Sequence, residues 1–226
     1  MPIVVVHKAG LWIDHDHDPM TVHADRTQLP PALQALLSRR SLGAKHLVEP
    51  GPDTAAIELM AQAALRAPDH AELVPFVFKV VRGGAREQLA ALFSQAARDA
   101  GKDAAGAAID AERARRAPVT VALVARIDLG HPLVPAHEQW IAVGAALAKF
   151  LDAAHCLGYA GKMLSGSKAR HAALQSAFCQ PGETLVGWIA LGTPRAPVAE
   201  RAPKRRPSEV WQDWPAAEDG GAPSAL

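Results

Sequence analysis

The sequence predicts an α+β domain, because stretches with helical periodicity alternate with short apolar segments that are typical of buried strands. Three such segments, residues 75–81, 119–125 and 185–191, contain many β-branched or aromatic residues. Between the last two, apolar residues recur every three or four positions from Pro135 to about Leu157, which predicts one long helix in the core or at a dimer interface. The 226-residue chain is 49% hydrophobic and 21% charged, a composition that supplies a sizeable core.

The first part of the chain predicts two helices that end at basic residues. Leucines recur at helical spacing after Pro31, and this helix ends at the Arg-Arg-Ser triplet of residues 39–41, before Gly43. Asp53 is placed to cap a second helix, whose apolar stripe stops at the Arg-Ala-Pro-Asp-His segment of residues 66–70. Each helix therefore presents basic side chains at its carboxyl end.

Four further elements complete the predicted order. Alanine-rich patterns predict helices over residues 85–100 and 107–116, each of which ends just before a glycine or a proline. After the long helix, residues 159–166 form a short extended segment whose glycines allow the backbone to approach a planar ring or a phosphate. Residues 168–178 predict a last helix ahead of the third strand.

Charge and targeting signals narrow the class of protein. The net charge of +1 offers no global field for nucleic acid or an anionic membrane, so any anion site must be built locally. The uncharged apolar stretch of residues 140–148 is less than half of the ~20 residues that span a bilayer. Cys156 and Cys179 lack metal or redox spacing, and residues 2–6 are too short for a signal peptide. We therefore expect a cytoplasmic protein with no nucleic-acid or membrane partner.

Residues 1–30 differ from the rest of the chain and are interpreted as an appended arm. The arm contains an alternating Asp/His run at residues 14–18, and imidazoles and carboxylates are ligands for zinc, nickel or copper. His15 and His17 could chelate a metal weakly, but no second pair of ligands follows at a recognisable spacing. We therefore expect no metal site, a folded domain at residues 31–215 and a flexible tail at residues 216–226.

Two basic clusters form the candidate anion site. The triplet at residues 39–41 offers forked guanidinium donors and a hydroxyl group, and residues 204–206 add a lysine and two arginines. Alone, each cluster is more typical of a solvated surface. If the fold brings the clusters together, they could close on the phosphate of one mononucleotide.

The order of elements and the residues at their ends resemble the nitroreductase family, the FMN-dependent NAD(P)H oxidoreductases, and most closely its small single-domain members. The resemblance covers about residues 32–214 and implies an α+β fold with a central mixed β-sheet flanked by helices, a long core helix, and a homodimer with FMN at the subunit interface. It is carried by residues 38–41, 65–70, 153–165 and 186–194, and by the basic-Pro-x-Glu-Val tail of residues 204–210.

The resemblance also implies roles for particular residues. In the family, the opening Arg-Arg-Ser segment holds the FMN phosphate and ribityl chain, and the extended segment after the long helix lies along the isoalloxazine ring. The arginine and histidine of the second segment contact the flavin in close relatives, and the basic tail completes the phosphate site. The implied cofactor-binding residues are Arg39, Arg40, Ser41, Arg66, His70, Met163, Leu164, Ser165, Lys204 and Arg206.

Two departures from the family pattern affect the expected pocket. Close relatives carry a Trp-Arg pair before the serine of the extended segment, where this chain has Met163 and Leu164. The usual Gln-Pro-Trp opening of the first strand is here Val-Pro-Phe at residues 74–76. We therefore expect a more apolar pocket. A stretch assigned to NAD(P)H in close relatives aligns with Ala153, Ala154, His155, Cys156, Leu157 and Gly158.

The implied reaction is hydride transfer from NADH or NADPH through FMN to a nitroaromatic, a quinone or a related electrophile, by a ping-pong mechanism. No side chain is expected to be catalytic, and Arg66 or Lys162 is the candidate for positive charge near the flavin. Two alternatives stay open. One is an FMN enzyme with a specific metabolite substrate, of a dehydrogenase or flavin-destroying type. The other is a non-catalytic protein that binds an anion at the basic clusters and a metal at the arm.

Overall fold

The computed structural model describes residues 29–198 and 205–214. The predicted arm, apart from its last two residues, and the tail at 216–226 lie outside this range, so the domain limits stay predictions. None of the described helices is long and apolar enough to cross a membrane. The described elements are α1 (Pro31–Ser38), β1 (Leu47–Val48), α2 (Thr54–Ala64), β2 (Phe76–Val81), α3 (Ala85–Asp99), α4 (Ala104–Arg115), β3 (Val119–Ala125), α5 (Ala136–Cys156), β4 (Ala160–Leu164), α6 (Ala172–Phe178) and β5 (Thr184–Pro194).

A five-stranded sheet forms the centre of the fold, and the predicted α+β class is confirmed. Its strand order is β1-β5-β3-β2, and β4 lies beside β1 along the free edge of β5. Each of these strand pairs is antiparallel. Among the described residues, the parallel component of the expected mixed sheet is one isolated bridge, between Ser41 and Gly161. The parallel link thus comes from the segment that follows α1.

The sheet separates two layers of helices. All seven residues of β3 are buried, as expected for a strand covered on both faces. On one face, α2 and α5 pack against the strands, and the Phe78 and Phe150 rings stack with their centroids 4.2 Å apart. On the other face, residues of α3, α4 and α6 form a second hydrophobic cluster that includes Trp188 of β5. This arrangement explains why β2, β3 and β5 are the continuous apolar segments of the sequence.

Helix α5 has one face in the core and one exposed face. Ala142, Val143 and Ala146 are buried against the sheet layer, whereas Ile141 is 63% exposed and Gly144 is also exposed. The sequence left open whether this helix belongs to the core or to a dimer interface. The core assignment is correct for one face, and the other face remains available to a partner.

The predicted helix over residues 168–178 is divided in the structure. Ser167–Arg170 form a 3-10 turn, and α6 begins only at Ala172. His171 between them has an extended backbone, with φ −72° and ψ 131°, and its Nε2 lies 2.9 Å from Oδ2 of Asp99 in α3. A contact with a distant helix therefore overrides the local helical pattern.

Strand β4 approaches β5 so closely that one position requires glycine. Gly187 has a φ of 153°, and a Cβ atom there would lie 2.3 Å from the carbonyl oxygen of Leu164. Any larger residue would push the end of β4 away from β5. The backbone of Met163 and Leu164 is thus fixed by a feature of the neighbouring strand.

Candidate functional site

The segment after α1 docks against the carboxyl end of α5 and the start of β4. Ser38 Oγ lies 2.9 Å from Nε2 of His155, and the backbone N–H of Leu42 donates to the carbonyl oxygen of Gly161 over 3.1 Å. The Ser41–Gly161 bridge adds a second attachment. The fold therefore brings the Arg-Arg-Ser triplet next to residues 153–158 and to β4, which are about 115 residues away in sequence.

Arg39 is held against α5 by a carboxylate. Its Nε lies 2.7 Å from Oδ1 of Asp152, and both side chains are partly exposed. The N–H of that Nε is not directed at an acceptor, so the contact is an ion pair without a hydrogen bond. Both Arg39 and Arg40 line a depression of about 180 Å³ that also contains His155, Tyr159 and Gly161.

The predicted ring-binding residues lie along the outer edge of the sheet. Within the described residues, β4 pairs on one side with β5, and beyond Gly161 its other edge has no strand partner. Lys162 and Leu164 are exposed, Ser165 follows them into solvent, and Met163 is half-buried against the core. An open strand edge offers backbone N–H and C=O groups to a ligand, and Met163 and Leu164 add an apolar surface.

His70 lies at the other end of α5, and Arg66 lies four positions before it, just after α2. Nδ1 of His70 is 2.7 Å from Oε2 of Glu138, which is in the first turn of that helix. The segment that follows is strained, because Ala71, Glu72 and Val74 all have positive φ values. Both basic side chains are exposed.

The two predicted flavin segments contact acidic residues at opposite ends of α5. Glu138 and Asp152 are fourteen positions apart, close to four helical turns, so they lie on one face at a distance of about 21 Å. Because His70 contacts Glu138 and Arg39 contacts Asp152, one chain does not bring the two predicted flavin segments together. The helical spacing of the two acids was a signal in the sequence that could have indicated this pairing.

The described residues include only part of the basic tail. Lys204 lies outside the described residues. Arg205 and Arg206 both contact the Glu209 carboxylate within their own segment, and Arg206 Nε lies 3.5 Å from Oε1. Within the described parts of the chain, the carboxylate that Arg206 contacts is that of Glu209, and no hydrogen bond or ion pair joins Arg206 to Arg39 or Ser41. The shared phosphate site of the two basic clusters therefore stays a prediction.

Comparisons with known proteins identify the family. The model of the Nitroreductase family matches residues 36–193. The chain belongs to the nitroreductase family. It is 36% identical over 167 residues to "Putative NAD(P)H nitroreductase YdjA" of Escherichia coli K12, an alignment that covers 73% of this chain and 88% of the relative. The fold agrees with this assignment, as two solved structures illustrate.

One of these structures is a nitroreductase-like family protein from Bacillus cereus, with a TM-score of 0.68 and 18% identity over 82% of this chain and 97% of the other. The second is a mutant of the FMN- and NADPH-dependent nitroreductase NfnB from a Sphingopyxis strain, with a TM-score of 0.61 and 21% identity over 82% and 99% of the two chains. At these identities the comparison concerns the fold.

The nitroreductase match includes most of the predicted site. It contains residues 39–41, 66–70 and 163–165, and it ends before the basic tail of residues 204–206. Three residues that the sequence reasoning missed also line the depressions beside Arg40: Tyr159, and further along the same surface His46 and Arg195. Neither of these basic residues belongs to a segment that carried the resemblance, so no motif indicated them.

Proposed function

We propose that this protein is an FMN-dependent NAD(P)H oxidoreductase that reduces nitroaromatics, quinones or related electrophiles. Membership of the nitroreductase family supports the proposal. So do the names of its relatives, which specify NAD(P)H for the E. coli protein and FMN for the NfnB structure. The observation that carries it is the docking of residues 39–41 beside the open edge of β4.

The residues at that place suit the chemical groups of FMN. Arg39 and Ser41 supply a guanidinium and a hydroxyl at one end of β4, where a phosphate monoester would lie. Leu164, Met163 and Ser165 supply an apolar surface and a hydroxyl at the other end, where the ring system would lie. Phosphate and ring would therefore occupy opposite ends of one exposed strand edge.

A second copy of the chain would complete the site. Between Glu138 and Asp152, the same face of α5 exposes Ile141, Gly144 and Ala148, an apolar stripe with small residues that let another helix approach. A two-fold axis near the centre of this stripe would set the helices antiparallel and place the partner's Glu138 beside Asp152. Arg66 and His70 of one subunit would then face Arg39 of the other, and we propose a homodimer with FMN at this interface.

The protein's part in the reaction is binding and electrostatics. FMN, when bound, supplies the hydride acceptor for NADH or NADPH and the hydride donor for the electrophile. Lys162 is exposed on β4 next to Met163 and is placed to provide positive charge near the ring, as is Arg66 from the partner side. The apolar Met163 and Leu164 favour neutral, planar acceptors. The free cysteines Cys156 and Cys179 are compatible with a cytoplasmic location.

Steady-state turnover tests this function. Purified protein supplied with FMN should oxidise NADH or NADPH in the presence of a quinone or nitroaromatic, and double-reciprocal plots should be parallel because the two substrates use the site in turn. No oxidation of either coenzyme with any of these acceptors would contradict the proposal. Destruction of FMN in the same assay would instead support the flavin-destroying alternative.

A further inference from the structure

The two arginines of the Arg-Arg-Ser triplet have different neighbours. After α1, the backbone at Arg39 leaves the helix with φ −59° and ψ 132°, and the chain then bridges to β4 at Ser41. In an extended segment, successive side chains point to opposite sides. The surroundings show a difference between the two arginines. Arg39 pairs with Asp152 of α5, whereas Arg40, besides the depression that it shares with Arg39, lines with Leu42 a further pocket to which Arg39 does not contribute.

That pocket is a basic depression of about 540 Å³ beside the end of β5. It is lined by the side of the triplet that carries Arg40, by the 3-10 turn that ends at His46, and by residues 195–198. The backbone N–H of Arg195 donates to the carbonyl oxygen of His46 over 2.9 Å, which holds these two residues next to each other. The depression therefore gathers two guanidinium groups and an imidazole.

His46 and Arg195 have no acidic partner within the described structure. Arg39 has Asp152 and Arg206 has Glu209. By contrast, over residues 29–198 and 205–214, no carboxylate forms an ion pair with His46 or Arg195. A guanidinium and an imidazole without an acidic partner, in a concave place, offer N–H donors that suit an anionic ligand.

The neighbouring depression adds a surface for a nucleobase. It shares Arg40 and Val198 with the basic pocket, has a volume of about 390 Å³, and is also lined by His155, Tyr159 and Pro194. Tyr159 is half-buried, so its ring has a fixed place on which a planar base could stack. Together the two depressions combine an aromatic platform with a phosphate-binding cluster.

We propose that this groove binds the adenylate end of the pyridine-nucleotide coenzyme, with a phosphoryl group held by Arg40, His46 and Arg195 and the adenine placed against Tyr159. The inference rests on the proposed function and gives its coenzyme a site that adjoins the one assigned to FMN, because Arg40, His155 and Tyr159 also line the depression that contains Arg39. It also accounts for the nearness of residues 153–158 to the groove, since His155 and Gly158 form its wall.

The test uses the full-length protein and two adenosine nucleotides. Isothermal titration at low salt measures the binding of 2′,5′-ADP and of 5′-AMP to wild type, Arg195→Ala and His46→Gln. Loss of one charge-assisted phosphate contact should weaken binding of the recognised nucleotide about tenfold in each variant. Raising the salt concentration should weaken it further, because exposed charges are screened. Lys45→Ala, which removes an exposed cation outside the pocket, should bind as wild type does.

The two nucleotides show which phosphate of the coenzyme the groove recognises, the 2′-phosphate of NADPH or the 5′-phosphate of the diphosphate. Selective binding of 2′,5′-ADP predicts an NADPH preference, and equal binding of 5′-AMP predicts that the diphosphate end is recognised; both support the groove. In the variants, KM for the coenzyme should rise by the same factor while the bound FMN content stays at the wild-type level. Unchanged nucleotide binding in both variants, or a loss of FMN with nucleotide binding intact, would overturn the inference. A wild-type protein that takes up no FMN would contradict the proposed function, while the titrations would still decide on the groove.

Discussion

Replacing Arg39 by alanine should weaken FMN binding by roughly 10- to 100-fold, the range expected for loss of one charge-assisted contact to a phosphate. The effect should lie at the upper end, because the variant leaves the Asp152 carboxylate, now 2.7 Å from Arg39, next to the phosphate without its partner. Fluorescence quenching of added FMN measures the affinity. Arg98→Ala on the far helix layer is the matched control, because the side-chain hydrogen bonds of Arg98 in the described structure go to Ser94 and Gln95 of its own helix, α3.

A mixed dimer extends this experiment to the subunit interface. A heterodimer of one Arg39→Ala chain and one His70→Ala chain should bind one FMN with wild-type affinity, because one of its two sites then receives both intact residues. The other site carries both substitutions and should bind poorly. If Arg39 and His70 belonged to the same site of one chain, both sites would be damaged and neither would bind tightly. That result would refute the interface arrangement.

Replacing Asp110 by asparagine should reduce the free energy of unfolding by about 2–3 kcal/mol. Asp110 is 1% exposed. Its carboxylate accepts hydrogen bonds from Nζ of Lys102 and of Lys168, each over 2.8 Å, and from Nη1 of Arg113 over 3.0 Å. An asparagine would leave three cations around a neutral group. The estimate is at the low end for a buried ion pair because the lysine and arginine side chains are partly exposed. Denaturant unfolding measures the change, and Glu112→Gln on the exposed face of α4 is the control.

The Asp110 carboxylate should also make the free energy of unfolding fall at acid pH. Burial acts to raise the pKa of Asp110, but hydrogen bonds from Lys102 and Lys168 outweigh it and lower the pKa from 3.8 to about 2. Because the pKa is lower in the folded protein than in the unfolded chain, the ionised carboxylate contributes its full stabilisation, about 2 kcal/mol, at pH values above the pKa of the unfolded chain. This stabilisation is lost as the pH falls from about 4 towards 2. Asp110→Asn should therefore lose stability at neutral pH and show a flatter dependence over that interval. An unchanged acid limb would contradict this role.

Local patterns predicted most of the fold because they depend on neighbouring residues. The apolar segments over β2, β3 and β5, the cap at Asp53 and the extent of α5 follow from periodicity and capping, and Asp53 Oδ1 accepts the N–H of Ala56 over 2.8 Å. The directions of the strands around β4 could not be predicted from these local patterns, because the pairing of distant segments is set by tertiary packing. The split of the helix at His171 likewise depends on Asp99, far away in sequence.

The sequence predicted which segments belong to the candidate site but not which residues those segments contact. The resemblance pointed to residues 39–41 and 66–70, but each contacts an acid at a different end of α5, which no linear motif encodes. The two sides of the triplet, and the meeting of Arg40 with Arg195, depend on the alternation of an extended chain laid against β4. Asp110 gave no sign in the sequence of being buried beneath three cations.

The most direct test of the central claim is the visible spectrum of the purified protein. We expect a yellow protein, or one that becomes yellow with saturable uptake of one FMN per chain, whose absorbance band at about 450 nm is bleached by NADH or NADPH without oxygen and restored by a quinone. A colourless protein that takes up no added FMN would contradict the account.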